Sequence, residues 1–323
     1  MELTGSRRVV VGAGPVGTAT ARLLAEQGAR VRVVTRSGSG PEHDHIERVR
    51  ADAADAAALR EISVGAAAIY NCANPPYHRW PTDWPPLADS MLRAAEATGA
   101  VLATVGNLYP YGPVDGLLTE DLPDAATGIK GRVRAAMWAQ ARAAHDAGHV
   151  RAVEIRASDF VGPHVAQSHL GDRVVPKILA GKGVRVLGSA DQAHSWTYIP
   201  DVARMMVTAA TEERAWGRLW HVPTNPPRSQ REAVHDLCRA AGVPPVKVGV
   251  IPHAVVRAAG LVVPMMRELE ETRYQFVHPF VLDSSAAQRT FGLTPTPWDQ
   301  VCTATVAGYR PDVRITHRME QQT

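Results

Sequence analysis

The chain has 323 residues, 45% of them hydrophobic, 21% charged and 6% aromatic, a mix that excludes a disordered or collagen-like polypeptide. Lys and Arg number 35 against 32 Asp and Glu, and the resulting formal charge of +3 is too small to argue for nucleic acid as a partner. No apolar run approaches the ~20 residues of a membrane span, and the opening MELTGSRRVVV lacks a cleavable signal pattern, so a soluble cytoplasmic protein without a membrane partner is expected. Cys72, Cys238 and Cys302 are far apart, odd in number and without metal-ligand spacing, as expected of buried thiols in a reducing compartment. The only lysines are Lys130, Lys177, Lys182 and Lys247, which makes each of them noticeable.

Taken in chain order, the first half alternates strand and helix. Arg8 to Val11 is a short apolar strand ending in Gly12-Ala-Gly14-Pro-Val-Gly17. Thr18 to Gln27 places Ala19, Leu23 and Leu24 on one helical face, Gly28 closes that helix, and Arg30 to Thr35 reads as a second strand. The alternation continues with strands at Ile46–Ala51, Ala67–Cys72, Val101–Val105 and Val150–Arg156, and with helices near 53–62, 87–98 and 131–147. This pattern predicts an α/β fold with a doubly wound parallel sheet and right-handed crossovers. Beyond about residue 160 Pro and Gly are frequent and the alternation is lost. The expected organisation is a Rossmann domain over 1–160 and a smaller α/β substrate-binding part over 161–323, interleaved with the same sheet. Residues 311–323 are polar and are expected to fray.

A G-x-G-x-x-G turn carries weight only between a strand and a helix within a βαβ unit, and that is its setting here. Gly12 permits the tight turn, Gly14 lets the backbone approach a pyrophosphate, and Gly17 allows close packing of helix on strand. With Pro15 and Val16 they form the start of a helix, whose dipole and free backbone N–H groups face phosphates. A dinucleotide is therefore the expected cofactor. Strand two ends in Thr35-Arg36-Ser37, with no carboxylate to bind a ribose 2′-hydroxyl. Arg36 there suits a 2′-phosphate, so NADP is expected, with NAD as the alternative.

These motifs resemble the extended short-chain dehydrogenases/reductases of the NAD-dependent epimerase/dehydratase type, and the resemblance spans nearly the whole chain. Asp52-Ala53 is similar to the family's adenine-contacting Asp, and Asn71-Cys72-Ala73-Asn74 to its nicotinamide-side turn. The stretch from Asn107 to Pro113 resembles the segment after strand five, and Arg156 to Pro163 the Arg…Tyr-Gly-Pro segment. His194 to Ala203 and Phe291 to Pro295 continue the likeness.

The resemblance implies a catalytic Tyr-x-x-x-Lys at the start of the helix after strand five. Here Lys130 stands where the Tyr is expected and Arg134 where the Lys is expected, while Asn107 falls on the helper Ser/Thr position. Three readings follow. In the first, Lys130 transfers the proton with its pKa pushed down by Arg134 and the cationic nicotinamide, as in isoflavone-reductase-like enzymes, and Asn107 orients the carbonyl. In the second, Tyr109, Tyr111, Tyr198 or Tyr274 replaces the missing Tyr. In the third, the fold binds cofactor without turnover, as a sensor or regulator, or serves a non-redox, epimerase- or cyclase-like use.

On the substrate side, Asp159, His164, His169, Arg173, His194, Trp196 and Tyr198 fall in the region that lines the family's cleft. Trp196 and Tyr198 alternate along a strand and so share a face, where they are either cleft wall or core. Arg267 to Phe276, with Tyr274, reads either as a flap made adaptable by the preceding Pro264-Met-Met or as a solvated helix face. His43-Asp-His45 lies in one loop and is not expected to hold a metal. No Gly-x-Ser-x-Gly elbow and no Gly-x-x-x-x-Gly-Lys loop is present. The expected function is NADP(H)-dependent oxidation or reduction of a small polar carbonyl, alcohol or sugar-like substrate, by a monomer or homodimer, with Lys130, Asn107, Arg134 and Tyr111 in the catalytic group.

Overall fold

The structure is a computed structural model that describes residues 3–165, 168–262 and 264–310, leaving aside the side chains of Pro264, Met265 and Met266. The expected fraying of 311–323 and the two methionines of the flap lie outside the described residues.

The first half runs β1 (Arg7–Val11), α1 (Pro15–Glu26), β2 (Arg30–Thr35), β3 (Ile46–Arg50), α2 (Ala56–Ile62) and β4 (Ala66–Asn71). It continues with α3 (Trp80–Thr98), β5 (Val101–Asn107), β6 (Leu117–Leu118), α4 (Ile129–Asp146) and β7 (Arg151–Ala157). The second half holds β8 (Asp159–Val161), α5 (Val175–Leu179), β9 (Val184–Val186), β10 (Trp196–Tyr198), α6 (Ile199–Thr211) and β11 (Leu219–His221). Then come α7 (Gln230–Ala241), β12 (Val248–Val250), α8 (His253–Gly260), α9 (Pro264–Glu271) and α10 (Tyr274–Val277). Strand β13 (Val281–Leu282), α11 (Ser285–Phe291) and α12 (Trp298–Ala307) close the described chain.

Seven strands form one parallel sheet in the order β11-β7-β5-β4-β1-β2-β3. Val9, Val10 and Val11 are buried on both faces of the sheet, which is why β1 reads as a continuous apolar run. Each such side chain contributes roughly 1.5–3 kcal/mol by leaving water. On one face α1 packs on α6, around Leu24, Val202 and Met206. On the other, α2 and α3 cover Leu59, Ile69 and Met91. The second half of the chain is thus interleaved with the first, since α6 and β11 follow residue 160 and join the Rossmann layers. A separate core under the C-terminal lobe gathers Val175, Ile178, Trp196, Leu237 and Val301.

The elements match the periodicity closely except at α3, expected over 87–98 and observed to start at Trp80. Its second turn contains Pro85 and Pro86, residues that remove backbone donors and normally end a helix. Burial decides otherwise, because Trp80 and Trp84 are fully buried and pack edge-to-face. That apolar area outweighs two lost hydrogen bonds.

Strand order reverses between β1 and β4, so a crevice opens at their carboxyl ends, the place where open parallel sheets bind ligands.

Candidate functional site

The glycine turn lies at the carboxyl end of β1. Gly12 has a φ of +100°, a conformation that glycine adopts without strain, and a Cβ there would meet the Cys72 carbonyl oxygen at 2.8 Å. A Cβ at Gly17 would run into the Gly12 carbonyl, so the helix must be bare at that point. Gly14 differs, being exposed, with no protein atom within 4 Å of an added Cβ. It also caps α1 without any side-chain hydrogen bond, and Pro15 follows it. An uncapped helix start with open space before it fits the phosphates of a dinucleotide.

Around the turn, Val16 is buried in the first turn of α1, and Ala53 is buried on the sheet's other face. Asp52 is exposed and holds the Ala54 N–H at 3.0 Å, leaving its second oxygen outward. Arg36 is exposed at the end of β2, beside the same edge. Asn71 is buried and accepts the Ala73 N–H at 3.3 Å, shaping the turn that ends in exposed Asn74. Cys72 is buried, and burial pushes its thiol up to about 12, so it acts here as packing.

The carboxyl ends of β4, β5 and β7 bring together residues far apart in sequence. Tyr77, from the loop after β4, meets Tyr109, from the turn after β5, with hydroxyls 2.8 Å apart. Both rings are clamped by Trp80, whose centroid lies 4.9 Å from that of Tyr77 and 6.1 Å from that of Tyr109. Half-buried Asn107 accepts the Tyr109 backbone N–H at 3.1 Å. Burial holds both phenols above the usual tyrosine value, Tyr109 more strongly than Tyr77. Asp159, the first residue of β8, receives His194 Nε2 at 2.8 Å, and His194 Nδ1 meets the Gln275 carbonyl at 3.1 Å. Burial alone would raise the Asp159 carboxyl, but His194 outweighs it and holds Asp159 below the usual range. Burial also drives the neighbouring His169 down to about 4, which keeps it neutral near pH 7.

The residues at the signature positions are placed differently from one another. Lys130 is 2% exposed, and its Nζ donates to Glu268 at 2.6 Å and Glu271 at 3.1 Å. Its backbone N–H also donates to Glu271, so α9 is tied across the first turn of α4. A proton donor free to face substrate was expected here, and the structure instead commits the ammonium to two carboxylates. Arg134 is buried between Trp80 and Trp84, 4.8 and 4.2 Å from their centroids, and bonds the Val105 carbonyl. Burial lowers it to about 10, and it supports α3 rather than facing the crevice. Tyr111 is buried, and its hydroxyl meets His221 Nε2 at 2.8 Å, while His221 Nδ1 faces the Asp283 carbonyl. With its hydroxyl used in this way, Tyr111 is a core residue. Of the four expected catalytic positions, Lys130, Arg134 and Tyr111 are buried, while Asn107, the last residue of β5, is half-buried.

Among the expected substrate residues, Trp196 is buried in the second core and donates to the Arg228 carbonyl at 2.9 Å. Tyr198 is half-buried and packs against Gly162, whose φ is +146°. His164, with a φ of 59°, and Arg173 are exposed. Tyr274 starts α10 beside Phe280, next to the carbonyl of Gln275 that faces His194. The segment read as a flap or a solvated helix face includes part of α9, which carries Glu268 and Glu271 to Lys130. His43 accepts the His45 N–H through Nδ1, and among the described residues no cluster of His, Cys, Asp and Glu could hold a metal ion. The described residues also contain no helix long and apolar enough to cross a membrane. Sequence reading passed over Tyr77, Glu268 and Glu271, whose roles depend on partners 32, 138 and 141 residues away.

Comparison with known proteins agrees with the fold. The model of the NAD dependent epimerase/dehydratase family matches residues 9–221. No curated protein matches the sequence. The fold is similar to the UDP-glucuronic acid 4-epimerase of Bacillus cereus in complex with NAD, at TM-score 0.77 and 16% identity over 94% of this chain and 98% of that one. It is also similar to the UDP-glucose 4-epimerase of Thermotoga maritima with UDP-glucose, at TM-score 0.77 and 15% identity over 95% and 99%. The dTDP-glucose 4,6-dehydratase of Bacillus anthracis in complex with NAD gives TM-score 0.75 and 15% identity over 94% and 96%.

Proposed function

Because the chain belongs to the NAD dependent epimerase/dehydratase family, a family of enzymes that use a nicotinamide dinucleotide, we propose that it is an NADP(H)-dependent oxidoreductase. Its substrate is a small polar carbonyl or alcohol, or a sugar-like compound of the kind bound by its structural relatives. The reading rests on one observation above the rest: β2 ends in exposed Arg36, with no carboxylate where a ribose 2′-hydroxyl would be bound. Gly12, Gly14, Gly17, Asp52 and Asn74 would hold the rest of the dinucleotide, which supplies or accepts hydride when bound. Asn107 orients the substrate oxygen, while Asp159 and Tyr274 offer partners to its hydroxyls. The α9 helix, tied to Lys130, excludes water from this end of the crevice.

Calorimetry with NADPH and NADH tests the cofactor. Charge-assisted hydrogen bonds from Arg36 to a 2′-phosphate are worth about 1.5–3 kcal/mol, so NADPH should bind at least about tenfold tighter. Arg36→Asp should remove or reverse the preference, and equal binding of both by the wild type would overturn it. Deuteride transfer from 4-deuterated NADPH to a panel of aldehydes, ketones and sugar nucleotides tests the reaction. Transfer to none of them, with oxidised and reduced cofactor bound at clearly different affinities, would favour a sensor instead.

A further inference from the structure

We propose that Tyr109, backed by Tyr77, is the proton donor of the crevice. The assignment rests on the oxidoreductase reading above and names the group that carries its acid–base step. The position where the family resemblance places a tyrosine holds Lys130, whose ammonium is already bound by Glu268 and Glu271. Three other tyrosines are spent elsewhere, since Tyr70 is buried within the sheet, Tyr111 is bonded to His221 and Tyr309 is buried in the second core; Tyr198 packs against Gly162 and Tyr274 against Phe280. Tyr109 instead stands just past the carboxyl end of β5, two residues after Asn107, on the side of the sheet where open parallel sheets bind ligands.

Its setting is rigid and polar at one atom. Trp80 packs against both phenol rings, Gly131 lets the first turn of α4 approach the Tyr109 carbonyl, and Asn107 fixes the backbone N–H. The hydroxyl of Tyr77, 2.8 Å away, supplies the second proton position. Lys130 Nζ lies 5.7 Å from the centre of the Tyr77 ring. The charged groups that act on the pair are Asp159 from β8 and Arg134 from α4, and the phenol of Tyr274 adds to them. Burial keeps Tyr109 protonated, the form needed to give up a proton. As a carbonyl carbon receives hydride from the reduced dinucleotide, the C–O π bond breaks and its electron pair moves to oxygen. Tyr109 Oη gives that oxygen its proton, and Tyr77 Oη gives its own to Tyr109, to be replaced from solvent. The substrate gains one hydride and one proton, and the dinucleotide is left oxidised.

The test places fluorotyrosine in place of Tyr109, of Tyr77 or of Tyr198 in the full chain and follows the fluorine resonance against pH. Oxidised NADP, whose ring is cationic, should lower the ionisation at position 109 by about one pH unit or more relative to NADPH. The shift should be smaller at 77 and near zero at 198. An equal titration at 109 with both cofactor forms, or a larger shift at 77, would overturn the assignment while leaving the oxidoreductase reading in place. Failure of either cofactor to bind by calorimetry would overturn that reading and the assignment with it. With any substrate found by deuteride transfer, Tyr109→Phe should lower kcat by roughly 10²–10⁴-fold with KM little changed. Undiminished turnover in Tyr109→Phe would likewise overturn the assignment.

Discussion

The glycine turn and the crevice wall are two ends of one site built in opposite ways. The turn is contiguous: Gly12, Gly14, Gly17 and Arg36 lie within a single strand–helix–strand unit, and backbone conformation does most of the work. The wall is assembled from loops after β4, β5 and β7 and from α9, so Tyr77 finds Tyr109 and Lys130 finds Glu271 across long stretches of chain. The turn needs small residues that leave room for a ligand. The wall needs buried polar groups that satisfy one another, because an unpaired one is costly.

Three measurements sharpen that contrast, beginning with the largest effect. Arg156 is fully buried and held by Asp124 at 2.6 and 3.0 Å and by Glu154 at 3.0 Å. Burial alone would lower its pKa, but these carboxylates outweigh burial and raise it. Arg156→Met leaves Glu154 and Asp124 without their cation and should cost about 3–5 kcal/mol in urea unfolding. Arg134 is buried against two indoles without a carboxylate partner at hydrogen-bond distance, and burial lowers it to about 10. Arg134→Met should therefore change stability by no more than about 1 kcal/mol. Comparable losses from the two variants would mean that pairing does not set the worth of a buried charge in this wall.

Within the turn, Gly17→Ala forces a methyl group onto the Gly12 carbonyl and should destabilise the protein by about 3 kcal/mol. At Gly14 an added Cβ meets no protein atom within 4 Å, so Gly14→Val should shift the unfolding midpoint far less than Gly17→Ala while dinucleotide binding is lost. A Gly14→Val protein that binds cofactor normally would show that the turn serves the fold alone.

The smallest effect is one of pH. Burial holds His169 and His221 at about 4, against an ordinary value of 6.5. Below pH 6.5 the unfolded chain takes up protons there that the folded chain does not. This stability is complete above pH 6.5 and falls as the pH drops toward 4, by about 1 kcal/mol per histidine at pH near 5.5. The unfolding midpoint measured against pH should show that slope, and His221→Gln should reduce it. A flat profile in the wild type would mean that both rings titrate in the folded state as they do in the unfolded chain.

The sequence by itself determined the architecture and the cofactor turn. Strand and helix follow from periods of two and 3.6, and the glycine turn is legible because its function depends on backbone torsions and a missing Cβ, both set locally. Tertiary structure alone decided the start of α3, where buried Trp80 and Trp84 override Pro85 and Pro86. It also decided which polar side chains pair with one another. Lys130, the residue that stood out as proton donor, is neutralised by Glu268 and Glu271, while Tyr109 acquires a partner in Tyr77. A side chain's chemistry depends on charges and hydrogen bonds a few ångströms away in space, and those neighbours are chosen by packing rather than by proximity along the chain.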